Sequence, residues 1–192
     1  RLKKNLMNIL LSDIIHVTGD SRLDRVLERQ AINVNALLPD YYNKSKTLIL
    51  GSLIQSDYSY IFGGFEQYYP NGHLSLAEKD QRIIIVPHEI SHQVLKEIET
   101  NLKKLKFEYT YYSIAKEQNS RVIIIDEVGI LADLYSYSDI AYVGAGFSAG
   151  VGVHSVIEPA VYHNAMSFGP NFQIVDMAVS LLNNNLASVI ES

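Results

Sequence analysis

Runs of apolar, mostly β-branched residues alternate with segments of helical period along much of this chain. The runs occupy residues 47–51, 82–87, 106–113, 121–126, 139–144 and 165–169. Their continuous apolar character is typical of strands in a parallel sheet that is covered on both faces. Segments with helical spacing lie at 90–105, 128–137, 156–163 and 172–182, and from 187 onward. This alternation predicts an α/β fold with a Rossmann-like, doubly wound parallel sheet.

Length and composition narrow the possible functions. The 192 residues suffice for one α/β domain but not for two full lobes of this kind. The net charge of −5 gives no basic stripe for nucleic acid, so no nucleic-acid partner is expected. The chain has no cysteine, which excludes disulfides and thiolate metal sites and fits a reducing compartment. Because no apolar run approaches the roughly 18 residues of a membrane span, and because the chain begins at Arg1, we expect a soluble, intracellular fragment.

A glycine-rich segment between a predicted strand and a predicted helix is the strongest local candidate for chemistry. Its glycines are Gly144, Gly146, Gly150 and Gly152. Glycine allows backbone N–H groups to approach an anion closely, and Ser155 is predicted to cap the next helix, whose N-terminus favours phosphate. Glu158, in the first turn of that helix, can accept hydrogen bonds from a ribose diol. The same pattern also describes a flexible loop before a capped helix that binds nothing.

Two other patterns point to different chemistry. Glu89 and His92 have the i, i+3 spacing of a helical metal site beside His88, but no third ligand is evident and no metal is expected. Ser148 lies in a Gly-Phe-Ser-Ala-Gly sequence similar to a hydrolase nucleophile elbow. No motif specifies its histidine and acid partners, so a hydrolase is not favoured.

Six segments, in the same order, resemble signature sequences of the Kdo (3-deoxy-D-manno-octulosonic acid) transferases of glycosyltransferase family 30. Residues 17–26 resemble Val-Thr-Gly-Asp-Thr-Arg-Phe-Asp-Arg-Val, and residues 144–160 resemble a glycine-rich signature that ends in His-Asn-Pro-Leu-Glu-Pro-Ala. Between them, 50–57 is similar to Gly-Ser-Thr-Trp…Asp, 84–89 to a strand ending in Ala-Pro-Arg-His or Ala-Pro-His-Glu, and 125–135 to Asp-Thr-Met-Gly-Glu-Leu-Ala-Asp-Leu-Tyr. The last, 168–171, resembles Phe-Gly-Pro-His.

The resemblance implies one lobe of a GT-B glycosyltransferase with a site for the donor, CMP-Kdo. Carried over position by position, the implied nucleotide-binding residues are Pro87, His88, Val128, Gly129, Ile130, Ser155, Val156, Ile157 and Glu158. The resemblance implies that Val128, Gly129 and Ile130 border the cytosine, and that residues 155–158 hold the phosphate and the ribose.

The chain departs from the family pattern at four of these positions. Ile130 replaces a glutamate, so only backbone recognition is expected there. Ser155 and Val156 replace Asn and Pro, although a serine still offers a hydroxyl and an amide. His88 replaces an arginine and carries less charge near neutral pH.

For the whole protein, the resemblance implies an inverting transferase that adds Kdo to a lipid A precursor in lipopolysaccharide biosynthesis, at the cytoplasmic face of the inner membrane. We expect residues 1–192 to be its single C-terminal domain. The N-terminal lobe, with the acceptor site, the membrane contact and the carboxylate general base, is expected to be absent, so no catalytic residue and no cofactor are expected here. The alternatives are a GT-B lobe or sugar-nucleotide epimerase that uses UDP, and a nucleotide-free α/β interaction domain.

Overall fold

A computed structural model describes residues 21–31, 36–117, 120–150 and 152–191. In these ranges seven strands form one parallel sheet in the order β3-β4-β2-β1-β5-β6-β7. The strands are β1 (Lys46–Leu53), β2 (Gln81–Pro87), β3 (Thr110–Tyr111), β4 (Val122–Ile124), β5 (Ile140–Val143), β6 (Ala165–Phe168) and β7 (Ala187–Val189). The predicted parallel α/β fold is therefore confirmed.

Helices cover both faces of this sheet. They are α1 (Ser21–Ala31), α2 (Tyr58–Tyr68), α3 (His73–Glu78), α4 (His92–Lys104), α5 (Leu131–Leu134), α6 (Ile157–Val161) and α7 (Asp176–Asn183). Successive residues of β2 enter different cores: Ile84 belongs to one apolar cluster and Ile85 to the other. This two-sided burial explains the continuous apolar runs in the sequence. No helix of the described ranges is long and apolar enough to span a bilayer.

The strand order places a crevice at the end of β1. From β1 the chain continues to β2 on one side, while β5 pairs with the other side of β1 and leads to β6 and β7. The Gly144 N–H, just after β5, donates to the Gly51 carbonyl at 2.8 Å, which draws the two strand ends together. In open α/β sheets, ligands bind beyond the carboxyl ends of the strands at such a switch point.

Two sequence-based assignments in the second half of the chain were wrong. The segment from 187 onward was predicted as helix, but Ala187–Val189 is a strand whose Ala187 pairs with Met166 of β6. The segment is too short to show a helical or strand periodicity, and its extended conformation results from pairing with the edge of the sheet. The strand predicted over 106–113 is reduced to Thr110–Tyr111, because Lys106 adopts a left-handed φ of 61° and a 3₁₀ helix starts at Tyr112.

The helix predicted over 128–137 is shorter than expected. Helices α2 and α3 were not predicted from the sequence. Gly129 has a φ of +87°, which is incompatible with a helix, so α5 begins at Leu131 and continues as a 3₁₀ turn over Tyr135–Tyr137. Helix α2 contains the pair Gly63 and Gly64, and this pair obscured its helical period in the sequence.

Candidate functional site

A cleft of about 330 Å³ lies at the carboxyl edge of the sheet, at the switch point. Its lining comes from the end of β1 and from the loops and helices that follow β2, β4 and β5. The lining residues are Ser52, His88, Gly129, Leu131, Ala132, Tyr135, His154, Ser155 and Glu158. Each of the three segments predicted to bind nucleotide therefore contributes to the same cleft.

The nine predicted nucleotide-binding residues divide into two groups. Four line the cleft: His88, Gly129, Ser155 and Glu158. The others lie outside its lining: Pro87, Val156 and Ile157 are buried, Ile130 packs against the core, and Val128 is 79% exposed. Val156 and Ile157 have apolar side chains at the start of α6 that face the interior, so their side chains are unavailable for phosphate or ribose. The side-chain contacts carried over from the family are thus limited to His88, Ser155 and Glu158.

Two histidines from different loops stack against each other in the cleft. The rings of His88 and His154 have centroids 4.3 Å apart and planes inclined by 17°. Backbone hydrogen bonds hold both residues, from His88 N–H to Leu53 O and from His154 N–H to Gly144 O. Burial, together with the neighbouring imidazole, lowers the pKa of His154, although Asp57 opposes this shift. A neutral imidazole carries one N–H donor, and Nε2 of His154 is buried with no hydrogen-bond partner among the described residues.

Ser155 and Glu158 form a hydrogen-bonded pair at the start of α6. Ser155 Oγ donates to Glu158 Oε2 at 2.5 Å. The predicted helix cap is not formed: the N-cap position belongs to Val156, and it has no side-chain cap. Because Ser155 holds one carboxylate oxygen, Glu158 is oriented in the cleft while its second oxygen can accept a hydroxyl hydrogen.

The glycines of the loop after β5 allow close packing of the backbone. A Cβ at Gly144 would lie 2.1 Å from the Ser52 carbonyl oxygen, and a Cβ at Gly146 would lie 2.4 Å from the Gly169 nitrogen. The backbone N–H of Asn171 also connects the two loops, because it donates to the Gly146 carbonyl at 2.8 Å. These glycines were expected to present amides to an anion, but they are not among the lining residues given above. Their role in this fold is to let the loops after β1, β5 and β6 meet.

A buried carboxylate, Asp57, joins the ends of β1 and β5. Its side chain is fully buried, and Oδ1 accepts a hydrogen bond from the Tyr142 hydroxyl at 3.0 Å. Oδ2 accepts from the N–H groups of Ile54 and Ala145, each at 3.0 Å. Ala145 has a φ of 71°. Asp57 thereby fixes a strained backbone beside the cleft.

Sequence reasoning did not assign Asp57 or several lining residues to the site. Asp57 lies three residues after Ile54, the capping spacing of a short 3₁₀ helix, and that spacing could have revealed it. Tyr135 forms part of the floor, with its hydroxyl against Gly51, where a Cβ would lie 2.2 Å from the oxygen. Burial raises the pKa of Tyr135, so its hydroxyl stays neutral. The role of His154 depends on its contact with His88, which no local pattern encodes.

A second cavity of about 590 Å³ lies along the outer face of α4. Gln55 and Tyr58 form one wall, and residues of α4 from His92 to Asn101 form the other. It contains none of the nine predicted residues and receives nothing from the loops after β4 and β5. The histidine and glutamate residues considered for a metal do not cluster: the described ranges hold no group of three or more His, Cys, Asp or Glu side chains that could bind an ion.

Sequence comparison gives relatives among glycosyltransferases. The chain is 34% identical over 119 residues to a bifunctional glycosyltransferase/methyltransferase of Fusobacterium nucleatum, which covers 59% of this chain and 18% of the relative. It is 28% identical over 174 residues to the 3-deoxy-D-manno-octulosonic acid transferase of Chlamydia trachomatis serovar D, over 88% of this chain and 38% of the relative. The chain is homologous to Kdo transferases. It spans well under half the length of these relatives, and no protein-family model matches it.

Structural comparison supports the same fold. The C-terminal CMP-Kdo binding domain of WaaA from Acinetobacter baumannii superposes with a TM-score of 0.66 at 16% identity, over 90% of this chain and 83% of that domain. At this identity the match establishes the architecture, which is that of one lobe of a GT-B glycosyltransferase. The predicted relation to the Kdo transferases and the predicted GT-B lobe are both confirmed.

Proposed function

We propose that the cleft at the carboxyl edge binds the cytidine monophosphate part of CMP-Kdo, and that the chain is the donor-binding half of an inverting Kdo transferase. The main support is geometric: His88, Gly129 and Glu158 come from three separate loops and line one cleft at the switch point. Homology to Kdo transferases over 88% of the chain supports the choice of donor.

In this proposal each lining residue meets a different part of the nucleotide. The free oxygen of the Glu158 carboxylate accepts a ribose hydroxyl, while Ser155 holds the other oxygen. The Gly129 segment borders the cytosine through its backbone, since Ile130 packs against the core. The lining contains neither Lys nor Arg among the residues described, so the two imidazoles and nearby amides meet the phosphate charge.

The rest of the enzyme follows as part of the same proposal. Residues 1–192 form the donor-binding domain and carry no catalytic base. Another lobe binds the lipid A precursor, contacts the inner membrane and supplies the carboxylate that deprotonates the acceptor hydroxyl. The negative charge that develops on the departing CMP is met in the cleft described here.

Calorimetric titration with CMP, 2′-deoxy-CMP and UMP tests the proposal. The wild-type chain should bind CMP more tightly than UMP, and more tightly than 2′-deoxy-CMP by about ten- to a hundredfold, the usual size of a hydrogen bond to a charged group. Glu158→Ala should lose the discrimination between CMP and 2′-deoxy-CMP without unfolding. Glu89→Ala, which removes an exposed carboxylate outside the cleft lining, is the matched control and should bind like wild type.

The possible outcomes separate the alternatives. A preference for UMP would indicate a transferase lobe or epimerase that uses UDP. An absence of binding to any of the three nucleotides at millimolar concentration would indicate a nucleotide-free interaction domain. If Glu158→Ala retains the full discrimination against 2′-deoxy-CMP, Glu158 does not contact that hydroxyl.

A further inference from the structure

Helix α1 lies against both walls of the cleft, although none of its residues is buried. One wall is the segment from Gly129 to Asp133, and the other is α6, which begins beside Glu158. Arg29 and Gln30 lie just beyond the 17–26 signature segment, whose residues 17–20 lie outside the described ranges. The contacts that α1 makes are nevertheless specific and polar.

Arg29 makes the contacts to the first wall. Its Nε donates to Asp133 Oδ1 at 2.7 Å and its Nη2 donates to Asp133 Oδ2 at 2.6 Å. This is the bidentate geometry that a guanidinium forms with a carboxylate. Nη2 also donates to the Gly129 carbonyl at 3.1 Å, so one side chain reaches a residue that lines the cleft.

The second wall is held by the neighbouring residue of the same helix. Gln30 Nε2 donates to the carbonyl of Val161, the last residue of α6, at 3.2 Å. The hydrogen bond with Asp133 raises the pKa of Arg29 against the opposing effect of burial, and the charges of Asp133, Tyr162 and Glu158 add to the rise. One end of α1 therefore fixes the relative position of the Gly129 wall and the Glu158 wall.

We infer that Arg29 is a positioning residue for the nucleotide site, which sets the separation of the two cleft walls through Asp133 and Gly129. The inference rests on the proposed function for its ligand. Gly129 has a left-handed φ, and a Cβ there would meet no atom within 4 Å, so nothing packs against the residue on that side. The guanidinium bond to its carbonyl restrains it through the contact with α1. Asp133 holds the guanidinium in turn, since its own side chain is only 10% exposed.

The test compares Arg29→Lys with Arg25→Lys. Lysine keeps the positive charge at position 29, but its ammonium group is compact. It cannot form a bidentate pair with the Asp133 carboxylate and donate to the Gly129 carbonyl at the same time. Arg25 is on the same helix and makes no ion pair or hydrogen bond among the residues described, so it is the matched control. We expect Arg29→Lys to weaken CMP binding by about five- to tenfold with a melting temperature within about 3 °C of wild type. Arg25→Lys should change neither quantity.

A second variant and a second measurement cover other results. If Arg29→Lys fails to fold, the paired variant Arg29→Gln with Asp133→Asn removes both charges, and it should fold but still bind CMP weakly. In ¹⁵N-labelled free protein, Arg29→Lys should shift the amide resonances of both Gly129 and Glu158. Unchanged CMP affinity in a folded Arg29 variant, or unmoved Gly129 and Glu158 resonances, would overturn the inference. If wild type itself does not bind CMP, the proposed function fails, and the resonances alone decide the role of Arg29.

Discussion

Replacement of Asp57 should reveal how much stability the junction of β1 and β5 contributes. Asp57→Ala removes the acceptor for two donors with no access to solvent, the Tyr142 hydroxyl and the Ala145 N–H. The third donor, the Ile54 N–H, belongs to a half-buried residue and can turn to water. Two buried donors left without a partner cost about 1–3 kcal/mol each, so the expected loss is about 2–6 kcal/mol. This is a large part of the 5–15 kcal/mol typical of a domain.

Two milder variants separate the carboxylate oxygens. In Asp57→Asn the amide oxygen can still accept from both N–H groups, and the Tyr142 hydroxyl can turn to accept from the new amide group. We therefore expect a loss of only about 1–2 kcal/mol. Tyr142→Phe removes the donor to Oδ1 alone and should cost a similar amount. The two single losses should not add in the double variant, because both act on the same hydrogen bond.

Urea denaturation followed by circular dichroism measures these differences in the free energy of unfolding. The slope of the transition should stay constant across the series, so that midpoints report stability. A loss below about 1 kcal/mol for Asp57→Ala would refute the reasoning. It would mean that the cost of burying the carboxylate cancels the value of its three hydrogen bonds.

Two further predictions concern the glycines and the histidine pair. Gly146→Ala should lower the free energy of unfolding by more than about 2 kcal/mol, because its Cβ would lie 2.4 Å from the Gly169 backbone. In contrast, a Cβ at Gly64 in α2 meets no atom within 4 Å, so Gly64→Ala should raise the free energy of unfolding by about 0.5–1 kcal/mol. Urea denaturation midpoints measure both changes. The pKa of His154 is lowered in the folded chain, so the unfolded chain takes up the proton more readily. The melting temperature should therefore be highest above about pH 6.5 and should fall as the pH drops below that value. In His154→Gln this fall should be smaller, whereas in His92→Gln, which changes an exposed residue, the fall should be the same as in wild type.

The sheet was predictable because its strands carry their own signal. The middle of each of the central strands β1, β2 and β4 is buried on both faces, and there the residues form an unbroken apolar run, as in residues 48–50 and 83–86. The edge strands lack this signal. β7 has only three residues, and its conformation comes from pairing with β6. Pairing across a sheet edge depends on the rest of the fold and cannot be deduced from a short segment.

The site was predictable in its location and only partly in its residues. That loops after parallel strands meet at one edge follows from topology, and this brought His88, Gly129 and Glu158 together as expected. The direction of individual side chains did not follow. Val156 and Ile157 match the family signature in position, but they enter the core. The stacking of His88 on His154 joins residues 66 positions apart, and only the folded chain shows it.

The backbone contact between Gly146 and Gly169 bears on how domains of this type are recognised from sequence. Both positions exclude a side chain because two loops touch there, whatever the cleft contains. A descendant that had lost all affinity for nucleotides would still need both glycines in order to fold. A search pattern built on these glycines therefore detects the architecture and carries no information about what the cleft binds.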